Sequence, residues 1–233
     1  MNIGARLETI AEYVLPGSVM ADIGTDHAYL PVYLLLEKKI SRAIAGDIAE
    51  GPCHAAANTV AMYGQRNAVE IRLGSGLSVL RPGEAACIVL AGMGGSTMVK
   101  ILDADFAVAK SAQRLVLQPQ TGAMGLRKWL CDNNWSLVAE KLVLENKRLY
   151  EIIIAEPGTE RREYTEAELA IGPLLLANRV PLLKEQFAKV LGGYQKQLSF
   201  MEKSTTAVQS EKYKQLRQLV AALEVLADAC DCK

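Results

Sequence analysis

Residues 20–31 read MADIGTDHAYLP. An apolar run ends at Asp22, the chain turns at Gly24, and two ionisable side chains, Asp26 and His27, follow before apolar residues resume. A glycine turn at a strand end lets the backbone approach a ligand closely. A helix opening near Asp26 or His27 would aim its first N–H groups at the same spot, which suits a carboxylate or phosphate. The dinucleotide fingerprint needs three glycines, and this loop has one. A pyrophosphate is therefore poorly served. A smaller zwitterion, such as the methionine end of S-adenosylmethionine, fits better, with amides for its carboxylate and Asp22 or Asp26 for its ammonium. Asp26 has an equally good second use, as N-cap of the following helix.

Three further loops bear on that choice. Asp47 ends an apolar run roughly 20 residues past Gly24, where an acid accepts hydrogen bonds from ribose hydroxyls; the plain alternative is a surface turn. Gly74-Ser75-Gly76 ends another run and could pass over an adenine ring, or be an ordinary glycine turn. Ala91-Gly92-Met93-Gly94-Gly95 ends a fourth, leaving room for a substrate or serving only strand-to-helix packing. Together along one sheet edge, the four loops point to a nucleoside cofactor.

The elements that must carry these loops follow from periodicity. Residues 4–15 have helical spacing, and Pro16-Gly17 stops them. Strands are predicted at 19–23, 42–48, 69–73, 86–95 and 114–119, with helices at 28–39, 55–63, from Gly95 through Leu102, and around Leu126–Cys131. Residues 135–146 and 148–156 read as a closing antiparallel pair around a turn in LENKRL. Alternating strands and helices give an α/β, Rossmann-like parallel sheet with an antiparallel edge, which binds ligands beyond the carboxyl ends of its strands. The boundary is expected near Pro157-Gly158, giving domains 1–158 and 159–233. Past it, Phe187, Leu191, Tyr194, Leu198 and Met201 alternate in fours and threes, and Tyr213, Leu216, Val220, Leu223 and Leu226 repeat the pattern. This predicts a C-terminal α-helical coiled-coil hairpin, preceded by a short helix around 165–177.

Composition narrows the classes. The chain has 233 residues, 50% of them hydrophobic, with zero formal net charge. A core is affordable, and nucleic-acid binding must rest on local patches. Charges interrupt every apolar run, and the first residues lack a signal pattern. Five scattered cysteines read as reduced thiols in a cytoplasmic protein. Cys230 and Cys232 have no second pair or histidine nearby, so no metal is expected.

DIGTDHAYLP, AGDI, GSGL, IVLAGMGG, LQPQTGAMGLRKWL and RLYEIIIAE together resemble the bacterial TrmK family, S-adenosylmethionine-dependent tRNA (adenine-N1)-methyltransferases acting at adenine 22. The resemblance runs from Arg6 to about Glu156 and on through a helical tail of the family's type. It implies that Asp22, Gly24, Thr25, Asp26, His27, Asp47, Ile48, Gly74, Ser75, Gly76, Ala91 and Gly92 bind the cofactor. It implies that Asp26, His27, Gly92, Met93 and Gly94 face the reacting adenine. Ser75 stands where the family often has Asp or Asn, and Gln120 where Gln118-Pro119-Gln120 meets a family LQPN. Adenine N1 has an available lone pair, so transfer needs placement and charge stabilisation rather than a strong base. Asp26 would stabilise the developing positive charge, and His27 would hold the base or orient Asp26, with a plain role satisfied in the first turn of the helix as the equal alternative. Tyr29 is either a stacking ring or core.

N1 lies on the Watson–Crick edge, so the target must be unpaired and flipped. Lys189, Lys196 and Lys203, spaced by seven, with Lys214 and Arg217 on the partner helix, form a candidate stripe for tRNA phosphates. A charged coiled-coil flank kept for solubility is the competing explanation. Arg127-Lys128 and Lys147-Arg148 are the next basic candidates. Two other classes compete with methyl transfer. A dinucleotide oxidoreductase is opposed by the missing glycines. A non-catalytic adaptor is favoured only by Ser75.

Overall fold

Uninterrupted apolar runs become strands here because both faces of a parallel sheet are covered, so no polar alternation is required. The computed structural model describes residues 1–158 and 163–231. Cys232, one of the two tail cysteines, lies outside the described residues, as do 159–162 at the expected boundary. The chain divides into two compact units, Met1–Arg161 and Arg162–Lys233.

The first unit carries seven strands: β1 (Val19–Ile23), β2 (Arg42–Asp47), β3 (Val69–Leu73), β4 (Cys87–Met93), β5 (Arg114–Pro119), β6 (Trp135–Glu145) and β7 (Arg148–Pro157). They lie in the order β3-β2-β1-β4-β5-β7-β6. The pairs among β1 to β5 are parallel; β7 is antiparallel to both β5 and β6. From β1 the chain goes to β2 on one side and reaches β4 on the other. The crevice for a ligand opens at that reversal, at the carboxyl ends of β1 and β4.

Helices α1 (Gly4–Tyr13), α2 (Tyr29–Leu36) and α3 (Glu50–Met62) cover one face, contributing Ile10, Val14, Leu34 and Val60 to its core. Helices α4 (Gly95–Ala104), α5 (Phe106–Ser111) and α6 (Ala123–Asp132) cover the other with Met98, Leu102, Ala109 and Leu126. α5 has no counterpart in the periodicity. A single 3-10 turn, Gly76–Val79, follows Gly74 and Ser75. The β6–β7 turn places Asn146 and Lys147 at φ +49° and +62°, the twist a two-residue hairpin requires. Leu117 pairs with Ile153 and Leu115 with Ala155, so Tyr150, Leu149 and Arg148 run past the carboxyl end of β5.

Among the described residues, the regular elements of the second unit are helices: α7 (Glu166–Ile171), α8 (Pro173–Ala177), α9 (Leu183–Met201), α10 (Thr205–Val208) and α11 (Glu211–Ala229). Thr165 and Glu168 close a capping box on α7. α8 follows at once with Pro173 in its first turn, so the single helix expected around 165–177 is two. α9 and α11 pack together. Their polar contacts link Glu202 to Tyr213 (3.0 Å) and Gln195 to Glu224 (3.4 Å), so the two helices run in opposite directions. Among the described residues, no helix is long and apolar enough to cross a membrane.

Candidate active site

Side chains alternate across a sheet, and the alternation collects a polar row on the α1 face of the carboxyl rim. Met20, Ala45, Val89, Val116 and Ile152 point into the core under α1–α3. Two residues further along their strands come Asp22, Asp47, Ala91 and Gln118, and on antiparallel β7, two residues earlier, Tyr150. Five strands thus end in one row of chemically active positions.

Asp22 is buried, and its carboxylate accepts a hydrogen bond from the Thr25 hydroxyl at 2.7 Å. Burial pushes the Asp22 carboxyl up to about 6, against the opposing effects of that hydrogen bond and of the Arg6 charge. Thr25 also accepts the Ala28 N–H at 3.1 Å. Its hydroxyl is therefore a strut between strand and loop. The N–H groups of Gly24 and Thr25 both donate to the Gly46 carbonyl, at 2.8 and 3.1 Å. The expectation of a helix opening at Asp26 or His27 is corrected. Helix α2 begins at Tyr29, and its N-cap is Ala28 in a left-handed conformation with no side-chain cap. Asp26 is not an N-cap. The loop can bypass one because Thr25 already ties it to Ala28.

On the rim Asp26 is exposed and His27 half-buried, with His27 Nε2 3.5 Å from Asp26 Oδ2. The His27 ring stacks on Tyr29 at 5.1 Å and 17°. Tyr29 is 43% exposed, so it is a rim residue and not core. Gly24 has φ +78°, and a Cβ there would meet Met93 Cε at 2.7 Å. The first and fourth loops, far apart in sequence, thus meet across the topological reversal.

The AGMGG segment divides in use. Gly92, at φ +81°, sits where the β4–β5 register shifts, and an added Cβ would find only the Gln120 amide, at 3.8 Å. Gly94, with the Thr121 hydroxyl beside it, is likewise on the open side. Gly95 is a packing residue: its Cβ would lie 2.4 Å from the Gly122 carbonyl oxygen. Its N–H donates to Thr121 O (2.7 Å), and Gln120 N–H donates to Met93 O (2.9 Å). The β4 and β5 loops form one braced lip.

On the far side of the crevice, Asp47 Oδ1 accepts the Ala49 N–H at 2.9 Å, which fixes the carboxylate at the strand end. Ile48 (72% exposed) and Leu73 (56% exposed) flank it, since Asp47 and Leu73 are register partners. Leu73 was not anticipated; its signal was a large apolar residue ending a strand directly before glycine. Ser75 is exposed in the same loop, and its carbonyl holds Ser78.

Arg6 is the largest omission of the sequence reading. Its guanidinium donates to Gln118 Oε1 at 2.9 Å and lies 5.5 Å from the Tyr150 ring centroid. Its N–H donates to Glu145 Oε1 at 3.1 Å. α1 thereby reaches β5, β7 and the hairpin at once.

The RNA candidates separate by burial. Arg127 is corrected: its side chain is fully buried, 2.5 Å from Glu140 and 2.9 Å from Glu151. A guanidinium enclosed by two carboxylates offers nothing to phosphate. Lys128 is exposed and paired with Asp132. Lys189, Lys196 and Arg217 are exposed on α9 and α11; Lys203 is exposed but lies beyond the end of α9.

The donor set fits S-adenosylmethionine. A closely approachable glycine and a buried acid suit its charged amino-acid end, a strand-end acid suits its ribose, and exposed apolar neighbours suit its adenine. At an Asp22 value near 6, ligand affinity should be about tenfold weaker at pH 5 than at pH 7, because the ionised acid that holds an ammonium is lost as pH falls. Asp22→Asn should flatten that dependence in calorimetry. Asp47→Ala should weaken binding about ten- to a hundredfold, the worth of about 1–3 kcal/mol in lost hydrogen bonds. Unchanged affinity would make Asp47 a turn residue.

Comparison with known proteins agrees with this geometry. The family described as "Methyltransferase domain" matches residues 3–153. The tRNA (adenine(22)-N(1))-methyltransferase of Bacillus subtilis is 36% identical over 99% of this chain and 98% of its own. The crystal structure of B. subtilis TrmK superposes with a TM-score of 0.85 at 34% identity, covering 98% of this chain and 99% of that one. A Streptococcus pneumoniae protein solved in complex with S-adenosyl-L-methionine does so at 0.81 and 30% identity, covering 97% and 99%. By identity along nearly its full length, by fold and by the loops at the carboxyl rim, the chain belongs to the TrmK family of methyltransferases.

Proposed function

We propose that the protein transfers the methyl group of S-adenosylmethionine to N1 of an adenine in tRNA, at position 22 as in its B. subtilis relative. The observation that carries this reading is the polar row from Asp47 to Tyr150, interrupted at β4 by an open glycine lip, in a chain of this family. In our reading, residues 1–158 perform the transfer in the cytoplasm. Residues 159–233, a coiled-coil hairpin, grip the RNA.

S-adenosylmethionine, when bound, supplies an electrophilic methyl on a sulfonium. The protein's part is placement and electrostatics. Asp22 holds the charged amino-acid end of the ligand and Asp47 its ribose, on the β1–β2 side. Gly92 and Gly94 leave space beside Met93 for a planar base. The base's N1 attacks with its own lone pair, so no residue need remove a proton first. The adenine gains positive charge as the bond forms, and Asp26 on the rim stabilises that charge once the base has excluded water. The His27–Tyr29 stack supports one wall of the same opening.

Incubating the protein with labelled S-adenosylmethionine and unmodified tRNA, then digesting to nucleosides, tests the reading. Label in 1-methyladenosine is expected, and its absence rejects the proposal. The tail has its own test. Glutamates replacing Lys189, Lys196 and Lys203 should leave S-adenosylmethionine binding intact, weaken tRNA binding and make it less salt-dependent, because lost phosphate contacts release fewer counterions. Normal affinity with an unchanged salt slope would assign the lysines to solubility.

A further inference from the structure

Tyr150 is the one member of the rim row that lies past the end of its neighbouring strand. Arg6 and Arg148 both place their guanidinium carbons over its ring, at 5.5 and 5.4 Å from the centroid. Arg6 is held from two sides, by Gln118 Oε1 through its guanidinium and by Glu145 through its main chain. Gln118 is itself fully buried, with its amide on the Pro119 carbonyl at 3.1 Å. Arg148 and Lys147 are exposed at the tip of the hairpin, and the nearby acid, Glu145, is engaged at the start of α1. The result is a preorganised ring with cationic groups above it, built on rigid elements.

Its position completes the argument. The groups suited to the cofactor lie toward β2 and β3, and the open glycine lip lies at β4. A substrate entering opposite the cofactor must cross the ends of β5 and β7, where this stack stands. Rings and guanidinium planes take unstacked bases, and exposed Lys and Arg take phosphates.

We infer that Tyr150, Arg6, Arg148 and Lys147 form an RNA-contact surface that stacks an unpaired base flanking the target adenine and holds its phosphate. This rests on the proposed tRNA methylation. The charge and the stack act separately. The lysine and arginine set the salt dependence of binding, and the ring sets a salt-independent share.

The test uses the full chain and an unmodified tRNA transcript. Three variants are compared with wild type: Lys147→Glu with Arg148→Glu, Tyr150→Ala and Tyr150→Phe. Affinity for tRNA is measured across salt concentrations, affinity for S-adenosylmethionine by calorimetry. The charge-reversal pair should lose at least about tenfold in tRNA affinity and lower the salt slope by about two. Tyr150→Ala should lose about five- to a hundredfold, while Tyr150→Phe binds like wild type because the ring remains. Cofactor affinity should stay within about twofold throughout. Wild-type tRNA affinity and slope in the charge-reversal pair, or parallel loss of cofactor binding in every variant, overturns the inference. If wild type methylates tRNA while the variants match its KM, only this inference falls. If wild type neither binds nor methylates tRNA, the proposed function falls with it.

Discussion

Asp26→Asn should lower kcat for methyl transfer by about 10²–10³-fold and leave S-adenosylmethionine affinity within about threefold. The asparagine keeps the size and one acceptor oxygen but removes the charge. The Asp26 side chain is 80% exposed and stands 3.5 Å from the His27 imidazole. Exposed in this way, the carboxylate adds little to folding. Its effect arises when a base covers it, because excluding water strengthens its interaction with charge that develops only in the transition state. Loss of one such preorganised group typically costs about 3–4 kcal/mol in the barrier. Single-turnover rates with saturating tRNA isolate this step from binding. A rate within about threefold of wild type would reduce Asp26 to a loop residue and move the electrostatic role to His27.

Arg127→Ala should destabilise the first unit by about 3–5 kcal/mol. The side chain is enclosed between Glu140 on β6 and Glu151 on β7. Burial opposes the Arg127 charge, and the two carboxylates outweigh it, so the group is held more firmly charged than usual. Removing it leaves two carboxylates buried without their cation, a worse state than never having placed charges there. In a chain of this size the loss corresponds to a fall in melting temperature of roughly 6–20 °C. Arg127→Met combined with Glu140→Gln and Glu151→Gln should recover much of it, because no unpaired charge then remains. Equal stability of Arg127→Ala and wild type by thermal melting would contradict this burial. The variant should alter tRNA binding only through the folded fraction.

The same residue shows what the sequence conceals. Arg127-Lys128 reads as a basic pair on a helix, and only Lys128 faces solvent. Nothing local marks Arg127 as buried, since its partners lie 13 and 24 residues away on two strands. Arg6 is hidden for the same reason, with Gln118 and Glu145 at separations of 112 and 139 residues. The strands were legible because continuous apolar runs ending in Asp or Gly have few other interpretations. The acid at Asp47 was legible as a strand end. The start of α2 was read within one residue from its apolar run, but not how it is capped, because its cap is an alanine backbone and the tie is a threonine hydroxyl three residues earlier. Tyr150 could have been found by counting in twos from Ile152 and Ile154 to the rim.

The position of β7 bears on how the molecule is made. It is the last strand in the chain, yet it lies inside the sheet between β5 and β6. Until residues near 150 have left the ribosome, β5 presents an open edge of Leu115, Val116 and Leu117. At about 5–20 residues per second, that edge is exposed for several seconds after its own synthesis. Such an edge pairs readily with other chains. α1 waits longer still, because the carboxylate that meets its first turn is Glu145 and the side chain that receives Arg6 is Gln118. The nascent chain therefore emerges with the first turn of its first helix untied, while Lys39 can already hold the other end at the Ala11 and Glu12 carbonyls. A chain stopped after β5 would have every parallel strand and lack the β7 end of the rim, so premature termination there would leave an unprotected strand edge.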